Sequence, residues 1–202
     1  MILKLKLYFL LFLAFLSKNI SAWSVFVEPF GGYQYKNPST ISLNSVEYSS
    51  DTKGLTYGSR LGLTFFDINF GVEYYRGSET NTRQGLEDKW DKSNLGFFIS
   101  NIDINEGYLT EFDFRITYYF SPEKTLVEDN NAGAGDLNDK ATGQGLGLGA
   151  EIGLFFSSVL HFDYRYITYT KIGTLSLPTS TYSTLQDHEI VLGLSVPLIY
   201  NF

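Results

Sequence analysis

The final segment of the chain, Glu189–Phe202, alternates strictly between two kinds of side chain. One parity is wholly apolar and consists of Ile190, Leu192, Leu194, Val196, Leu198, Tyr200 and Phe202. The other parity is mixed, small or charged, and includes Gly193 and Ser195. Because successive side chains of a β-strand point to opposite faces, this segment is predicted to be a strand with one entirely apolar face.

Seven further segments alternate in the same way. Together with the last one they span approximately 23–35, 55–66, 68–76, 93–102, 108–120, 144–156, 159–171 and 188–202. In each segment one parity is apolar, and the opposite parity collects the charged residues. These charged residues are Glu28, Arg60, Glu73, Glu111, Asp113, Arg115, Glu151, Asp163, Arg165 and Glu189. The pattern predicts eight strands, each with an apolar and a polar face.

The first 22 residues, Met1–Ala22, have the three parts of a secretory signal peptide. Lys4 and Lys6 form the basic start, an apolar run covers 7–16, and the small residue Ala22 precedes the expected cut. A transmembrane helix is the alternative, but such a run reaches only about 15 Å, half of a hydrocarbon core. We therefore expect cleavage after Ala22 and a mature domain covering 23–202.

The composition excludes several classes of protein. Loss of Lys4, Lys6 and Lys18 with the signal would change the net charge from −7 to −10, which argues against a nucleic-acid partner. The chain has no cysteine, so disulfides and a lipid-modified cysteine are excluded. The aromatic content of 17%, mostly Tyr and Phe, is typical of strands bordered by aromatic residues.

Two sheet architectures alternate in this way. A soluble β-sandwich turns its apolar face inward, whereas a membrane barrel turns that face to lipid and must close so that every backbone group is paired. The signal sequence, Phe202 and the aromatic ends of the apolar faces favour the second. The sequence thus predicts an all-β fold, an eight-stranded antiparallel up-and-down transmembrane β-barrel, whose interior side chains can fill.

The connections between the segments alternate between short and long. The short ones are 66–67, 103–107 and 157–158, and the long ones are 36–54, 77–92, 121–143 and 172–187. Short periplasmic turns and longer extracellular loops are typical of bacterial outer-membrane barrels. We therefore expect both termini on the periplasmic side and four exposed, polar loops on the cell surface.

An apolar strand ending on phenylalanine resembles the C-terminal signal of bacterial outer-membrane β-barrels, here Leu198, Tyr200 and Phe202. The mature chain as a whole resembles the small eight-stranded barrels of the OmpA-, OmpX- and OmpW-like kind. The resemblance implies a location in the outer membrane of a Gram-negative-type bacterium, with membrane lipid and the barrel-assembly machinery as partners. It rests on architecture, so it implies a fold more firmly than an activity.

A short internal repeat places acids and arginines on the polar face. Residues 112–115 and 162–165 share the order aromatic, Asp, aromatic, Arg. A functional interpretation is that these charges line a polar lumen, and a structural one is that acid and base neutralise each other inside it. We favour the structural interpretation for the predicted lumen charge network of Glu28, Arg60, Glu73, Glu111, Asp113, Arg115, Glu151, Asp163 and Arg165.

The motifs of catalysis and of cofactor binding are weak. A barrel enzyme of the deacylase type needs a His beside a Ser. The residue two positions after His161 is an aspartate, Asp163, and His188 lies between two acids. The acidic, Gly-rich stretch 128–136 lacks the ligand spacing of a calcium loop. The glycines at 143–149 alternate with leucines, which indicates a strand with a bare inward side rather than a phosphate loop. We predict no enzyme activity, no metal and no cofactor.

Two functional classes remain open. The first is a structural or surface-interaction protein with a largely closed lumen, whose extracellular loops bind a ligand that the sequence does not specify. The second is a small porin-like channel for ions or small solutes. An outer-membrane lipid-modifying enzyme is the least favoured alternative.

Overall fold

A computed structural model describes residues 23–43, 46–65, 68–83, 86–101, 112–128, 140–154, 157–173, 175–177 and 182–201. Ten strands account for nearly all of them. They are β1 (Trp23–Leu43), β2 (Val46–Phe65), β3 (Ile68–Arg83), β4 (Leu86–Asn101), β5 (Phe112–Glu128), β6 (Lys140–Gly153), β7 (Val159–Ile172), β8 (Leu175–Ser176), β9 (Tyr182–Ser195) and β10 (Leu198–Asn201).

The strands form one closed antiparallel barrel with eight strand positions, which we call staves. Seven staves are β1 to β7, and β9 with β10 forms the eighth, closing stave. Each of β1 to β7 pairs with the next, β9 pairs with β7, and β9 and β10 together pair with β1 to close the ring. The closing stave is interrupted at Pro197, which lacks the N–H that a strand interior needs. Val196 still donates its backbone N–H to the carbonyl of Pro29, at 3.1 Å. The predicted fold, an eight-stranded up-and-down barrel, is confirmed.

The barrel wall separates an apolar outside from a polar inside. On the closing stave, Leu192, Leu194 and Tyr200 are exposed, whereas Val191 and Ser195 are buried. On β2 the apolar outward positions run from Leu55 to Phe65, which corresponds to about 25 Å of height at ~3.3 Å per residue and a tilt of about 40°. That height matches the hydrocarbon region of an outer membrane, so the outer surface suits lipid contact. No helix in the described part of the chain is long and apolar enough to cross a membrane.

The strands continue well beyond the segments that the alternation delimits. β1 and β2 pair as far as Leu43 and Val46, and β3 and β4 pair as far as Arg83 and Leu86. Long parts of the predicted loops 36–54 and 77–92 are therefore strand, and the expectation of long irregular connections there was wrong. Above the lipid band both faces of the wall contact polar surroundings, so the alternation that marks a strand in the sequence disappears.

Several expectations concern residues outside the described part of the chain. They are the signal segment Met1–Ala22, most of the stretch 128–136, and the residues Glu111 and Phe202. Leu198 and Tyr200 lie on β10 with their side chains on the outer surface. The assembly-signal role of Leu198, Tyr200 and Phe202 stays a prediction.

Candidate functional site

The lumen of the barrel holds a layer of charged side chains centred on Arg60 of β2. Its guanidinium lies 2.7 Å from Glu28 of β1 and 2.8 Å from Glu73 of β3, the two neighbouring strands. It also lies 3.3 Å from Glu151 and 3.8 Å from Asp163, on β6 and β7 across the barrel. Because these strands form opposite walls, the Arg60 side chain with its partners extends across the lumen.

Two more arginines complete what we term the arginine layer: Arg60, Arg115 and Arg165 with Glu28, Glu73, Glu151 and Asp163. Arg115 contacts Glu151 and Asp163 closely and lies 3.6 Å from Glu73. Arg165 lies 3.1 Å from Asp163 and 3.6 Å from Glu189. Every one of these seven side chains is at most 3% exposed. A buried charge is tolerated when it is paired, and here each arginine meets at least two carboxylates.

Aromatic side chains pack against the arginines. The Arg165 guanidinium is 3.9 Å from the ring centroid of Tyr75, and the Arg60 guanidinium is 4.5 Å from that of Phe30. The hydroxyl of Tyr119 donates to Glu73 at 2.6 Å, and that of Tyr75 donates to Glu189 at 3.1 Å. The rings therefore fill volume and also hydrogen-bond the network.

Glycines on the inward face make room for these bulky groups. A Cβ added to Gly149 of β6 would lie 2.7 Å from Asp163 Oδ1 and 2.8 Å from Arg115 Nη2. A Cβ on Gly193 of β9 would clash with the His161 ring. The predicted strand with a bare inward side is present as β6, and its glycines leave space for neighbouring lumen side chains.

His161 lies inside the lumen of the barrel. It is fully buried on β7, its Nδ1 is 3.1 Å from Asp163 Oδ2, and its ring meets Phe30 edge-on at 5.6 Å. His188 lies on the outer surface instead, where its Nδ1 is 2.8 Å from the Tyr164 hydroxyl. The partner of the His161 ring is thus a carboxylate and that of the His188 ring is a phenol.

A second charged layer occupies the upper lumen, on the side of the strand extensions. This lysine layer consists of Lys92 of β4 and Lys124 of β5 with Glu79, Asp187 and Glu189. Lys92 is 3.1 Å from Glu79 and 2.9 Å from Glu189, and it also donates to the Gln34 amide oxygen. Lys124 is 2.9 Å from Asp187 and 3.3 Å from Glu79.

The three carboxylates of the lysine layer could in principle ligate a metal ion. Each offers an oxygen, and these oxygens of Glu79, Asp187 and Glu189 lie within 4.8 Å of one another. The ammonium groups of Lys92 and Lys124 are hydrogen-bonded to the same carboxylates, so positive charge is already supplied there. The donor set therefore fits two lysines better than a divalent cation, whose ligands would have to exclude them.

Hydrophobic and aromatic side chains close the top of the lysine layer. Lys124 Nζ lies 4.7 Å from the ring centroid of Trp90 and 5.4 Å from that of Tyr169. Tyr169 packs with Ile167, Leu185 and Ala141 in a buried cluster. At the opposite end of the lumen the rings of Phe26 and Phe98 meet, with centroids 6.0 Å apart. Both ends of the charged interior are thus covered by rings.

The structure places the residues of the predicted charge network as follows. Glu28, Arg60, Glu73, Arg115, Glu151, Asp163 and Arg165 are buried together in the arginine layer. Asp113 is only partly buried, and Glu111 lies outside the described residues. The prediction missed the lysine layer, because Glu79 and Lys92 lie in 77–92, Lys124 in 121–143 and Asp187 in 172–187, all assigned to loops. The inward parity of β3, counted upward from Glu73 and Tyr75, would have identified Glu79.

Comparison with known proteins supports the fold. The sequence matches no protein-family profile and no curated protein. The structure is similar to Ail, the attachment invasion locus protein of Yersinia pestis, in complex with the heparin analogue sucrose octasulfate, with 10% identity and a TM-score of 0.50 over 86% of this chain and 99% of that one.

Two other solved structures are similar. Neisserial surface protein A (NspA) has 15% identity and a TM-score of 0.49 over 87% of this chain and 97% of its own. The outer membrane protein OprG from Pseudomonas aeruginosa has 10% identity and a TM-score of 0.41 over 87% and 96%. The likeness to Ail shows the fold, and with the apolar outer wall it defines the class: a small eight-stranded β-barrel of the outer-membrane type.

Proposed function

We propose that this protein is an integral outer-membrane barrel whose lumen is closed to ions, and that it serves a structural or surface-interaction role. The observation that carries the proposal is the arginine layer. Arg60 alone engages carboxylates from β1, β3, β6 and β7, so the layer places fixed side chains across the path that water and ions would take. The lysine layer adds a second obstruction nearer the upper end.

The packing of the lumen supports closure independently of charge. Phe26, Phe30, Tyr75, Phe98 and Tyr119 are all at most 5% exposed, although they point into the barrel. An eight-stranded barrel has an interior that side chains can fill. Ionised groups held by bidentate and multiple hydrogen bonds are fixed in place, which leaves a narrow channel blocked.

Planar-bilayer recording tests the closed lumen directly. We expect no steady conductance steps from the purified wild-type protein, because the two charged layers and the aromatic rings at both ends fill the cross-section. A double variant that removes one cationic side chain from each layer, Arg115→Ala with Lys124→Ala, is the matched positive control and is expected to conduct ions. A reproducible ion-selective channel from the unmodified protein would promote the porin-like alternative.

One observation favours that alternative as a second candidate. In the arginine and lysine layers, carboxylates outnumber cations: Arg60, Arg115, Arg165, Lys92 and Lys124 face Glu28, Glu73, Glu79, Glu151, Asp163, Asp187 and Glu189. A lumen with this excess of acid would select cations if water passed through it. The selectivity of any observed conductance therefore separates a native pore from a nonspecific leak.

We propose that the strand extensions face the cell exterior and that both termini are periplasmic. The extensions carry polar side chains on the outward face, such as Lys53, Lys89 and Glu128, which suit water rather than lipid. The opposite end is short, with Ser157 in a tight turn between β6 and β7. Ail is named as the attachment invasion locus protein, which agrees with a role at the cell surface.

Epitope labelling of intact cells tests this orientation. A tag inserted near Asn131, between β5 and β6, is expected to bind antibody without permeabilisation, because exposed connections tolerate insertion. A tag at Ser157–Ser158 is the matched control and is expected to bind antibody only after the outer membrane is opened. The reverse labelling pattern would invert the topology.

A further inference from the structure

The outer surface of the barrel has a polar recess just above its apolar band. The recess has a volume of about 320 Å³ and is lined by Tyr57, Arg76, Ser78, Asp91, Ser93 and Lys140, among others. It lies across β2 to β6, and its Arg76 and Asp91 side chains are exposed. We refer to it as the interface recess.

Two opposite charges line the interface recess without meeting. Arg76 contacts the Tyr74 hydroxyl, with its guanidinium 5.7 Å from the centroid of that ring. Among the described residues, neither Arg76 nor Asp91 forms an ion pair, whereas the nearby Lys140 is paired with Glu123 at 2.6 Å. Within the described part of the chain, the recess therefore offers to an external group one cation and one anion that are not ion-paired.

The order of these charges along the wall is fixed by the register of β3 and β4. Tyr74 is opposite Leu95, Arg76 is opposite Ser93, and Ser78 is opposite Asp91. From the apolar band outward, the paired rows are therefore aromatic with aliphatic, then cation with hydroxyl, then hydroxyl with anion. Successive rows on one face are about 6.6 Å apart along the strand.

An apolar groove lies below the interface recess on the same part of the wall. It has a volume of about 610 Å³ and is lined by Leu61, Leu63, Phe70, Val72 and Phe97, among others. Val72 and Arg76 are both outward residues of β3, about 13 Å apart along the strand. The row of Tyr74 and Leu95 lies between the groove and the recess, so an acyl chain that extends from the recess along the wall would pass this row and enter the groove.

We infer that the recess and the groove together bind a membrane lipid whose headgroup is a phosphoethanolamine. In such a lipid the phosphate lies next to the acyl region and the primary ammonium lies farther out, which is the order of Arg76 and Asp91. A guanidinium is suited to the phosphate, and the Ser93 hydroxyl opposite it can donate a further hydrogen bond. The Asp91 carboxylate accepts hydrogen bonds from the ammonium, and Tyr57 and Tyr74 lie at headgroup level.

Native mass spectrometry of the refolded protein tests this inference. The protein in detergent is offered equal amounts of phosphatidylethanolamine, phosphatidylglycerol and phosphatidylcholine, and the fraction carrying each lipid is measured. We expect phosphatidylethanolamine to be retained about fivefold more than either competitor, since both partly exposed charges contribute. Equal retention of the three lipids would overturn the inference.

Two variants test which charge of the recess binds which end of the headgroup. Arg76→Gln is expected to lower retention of phosphatidylethanolamine and phosphatidylglycerol alike, because both carry the phosphate. Asp91→Asn is expected to remove only the preference for phosphatidylethanolamine. Lys89→Gln, which removes an exposed outward lysine of β4 that does not line the recess and is paired with Glu128, is the matched control and should leave retention unchanged. A loss with Lys89→Gln equal to that with Arg76→Gln, or wild-type retention by Arg76→Gln, would contradict the inference.

Discussion

Replacing Arg60 with methionine is expected to lower the free energy of unfolding by about 3–5 kcal/mol. The substitution removes the cation that lies within 4 Å of Glu28, Glu73, Glu151 and Asp163, all of them buried. Arg115 and Arg165 cannot replace it at Glu28, because their ion pairs are with the other carboxylates. Glu28 is left as a buried carboxylate without its cation, which is the costly case for a broken buried pair.

Urea unfolding of the protein refolded into lipid vesicles measures this change. The matched control is Lys89→Met, because Lys89 and Glu128 form an ion pair at 2.8 Å whose side chains are 46% and 55% exposed. The hydrogen bond to Glu128 raises the pKa of Lys89, yet such exposed pairs contribute little to stability and the control should be close to wild type. Adding Glu28→Gln to Arg60→Met should recover part of the loss, since it removes the stranded charge. A midpoint for Arg60→Met equal to that of Lys89→Met would contradict the role assigned to the arginine layer.

Replacing Gly149 with valine is expected to lower the free energy of unfolding by about 3 kcal/mol. Its Cβ would lie under 3 Å from both Asp163 Oδ1 and Arg115 Nη2, so these two side chains have to move apart. Arg115 is also held by Glu151, and Asp163 is also held by Arg165, so neither group can move without losing another ion pair. A substitution that elsewhere favours a strand is therefore harmful here.

The same strand supplies the control for this prediction. A Cβ on Gly153, also inward on β6, meets no atom within 4 Å, so Gly153→Val should change stability by no more than about 0.5 kcal/mol. Both variants add the same side chain to the same strand, so strand propensity cancels in the comparison. Equal urea midpoints for the two variants would show that the space above Gly149 is not needed by the ion pairs.

Within the lipid band, the sequence predicts the structure well because the two faces meet opposite surroundings. Leu61, Phe97 and Phe114 all point outward as their parity indicates, while Arg60 and Arg115 on the opposite parity point inward. In a membrane barrel the wall has lipid on one side and polar groups on the other, so apolar and polar residues alternate along each strand and show which way each side chain points. Strand identity, facing and most of the arginine layer follow from this one rule.

Above the band that rule loses its basis, and the prediction fails there. Lys92 and Lys124 lie on strand extensions whose outward neighbours, such as Asp91 and Glu123, are also polar. With charges on both faces, nothing in the local pattern separates a buried lysine from a loop lysine. Only the pairing between strands brings the lysine layer together. In the register of β3 and β4, Glu79 is opposite Trp90 and Gly77 is opposite Lys92, which places Glu79 and Lys92 near each other.

The arginine layer also restricts which alignment of neighbouring strands is acceptable. A slip of one residue between two strands exchanges their inner and outer faces, so hydrophobicity alone excludes it. A slip of two residues keeps every apolar side chain facing lipid, and hydrophobicity cannot detect it. Such a slip between β2 and β3 would move Glu73 about 6.6 Å relative to Arg60, its present partner in the register, and would break their ion pair. The buried charges thus disfavour misaligned strands that hydrophobicity alone would accept. A barrel with a uniformly neutral interior would lack this selection for the correct register.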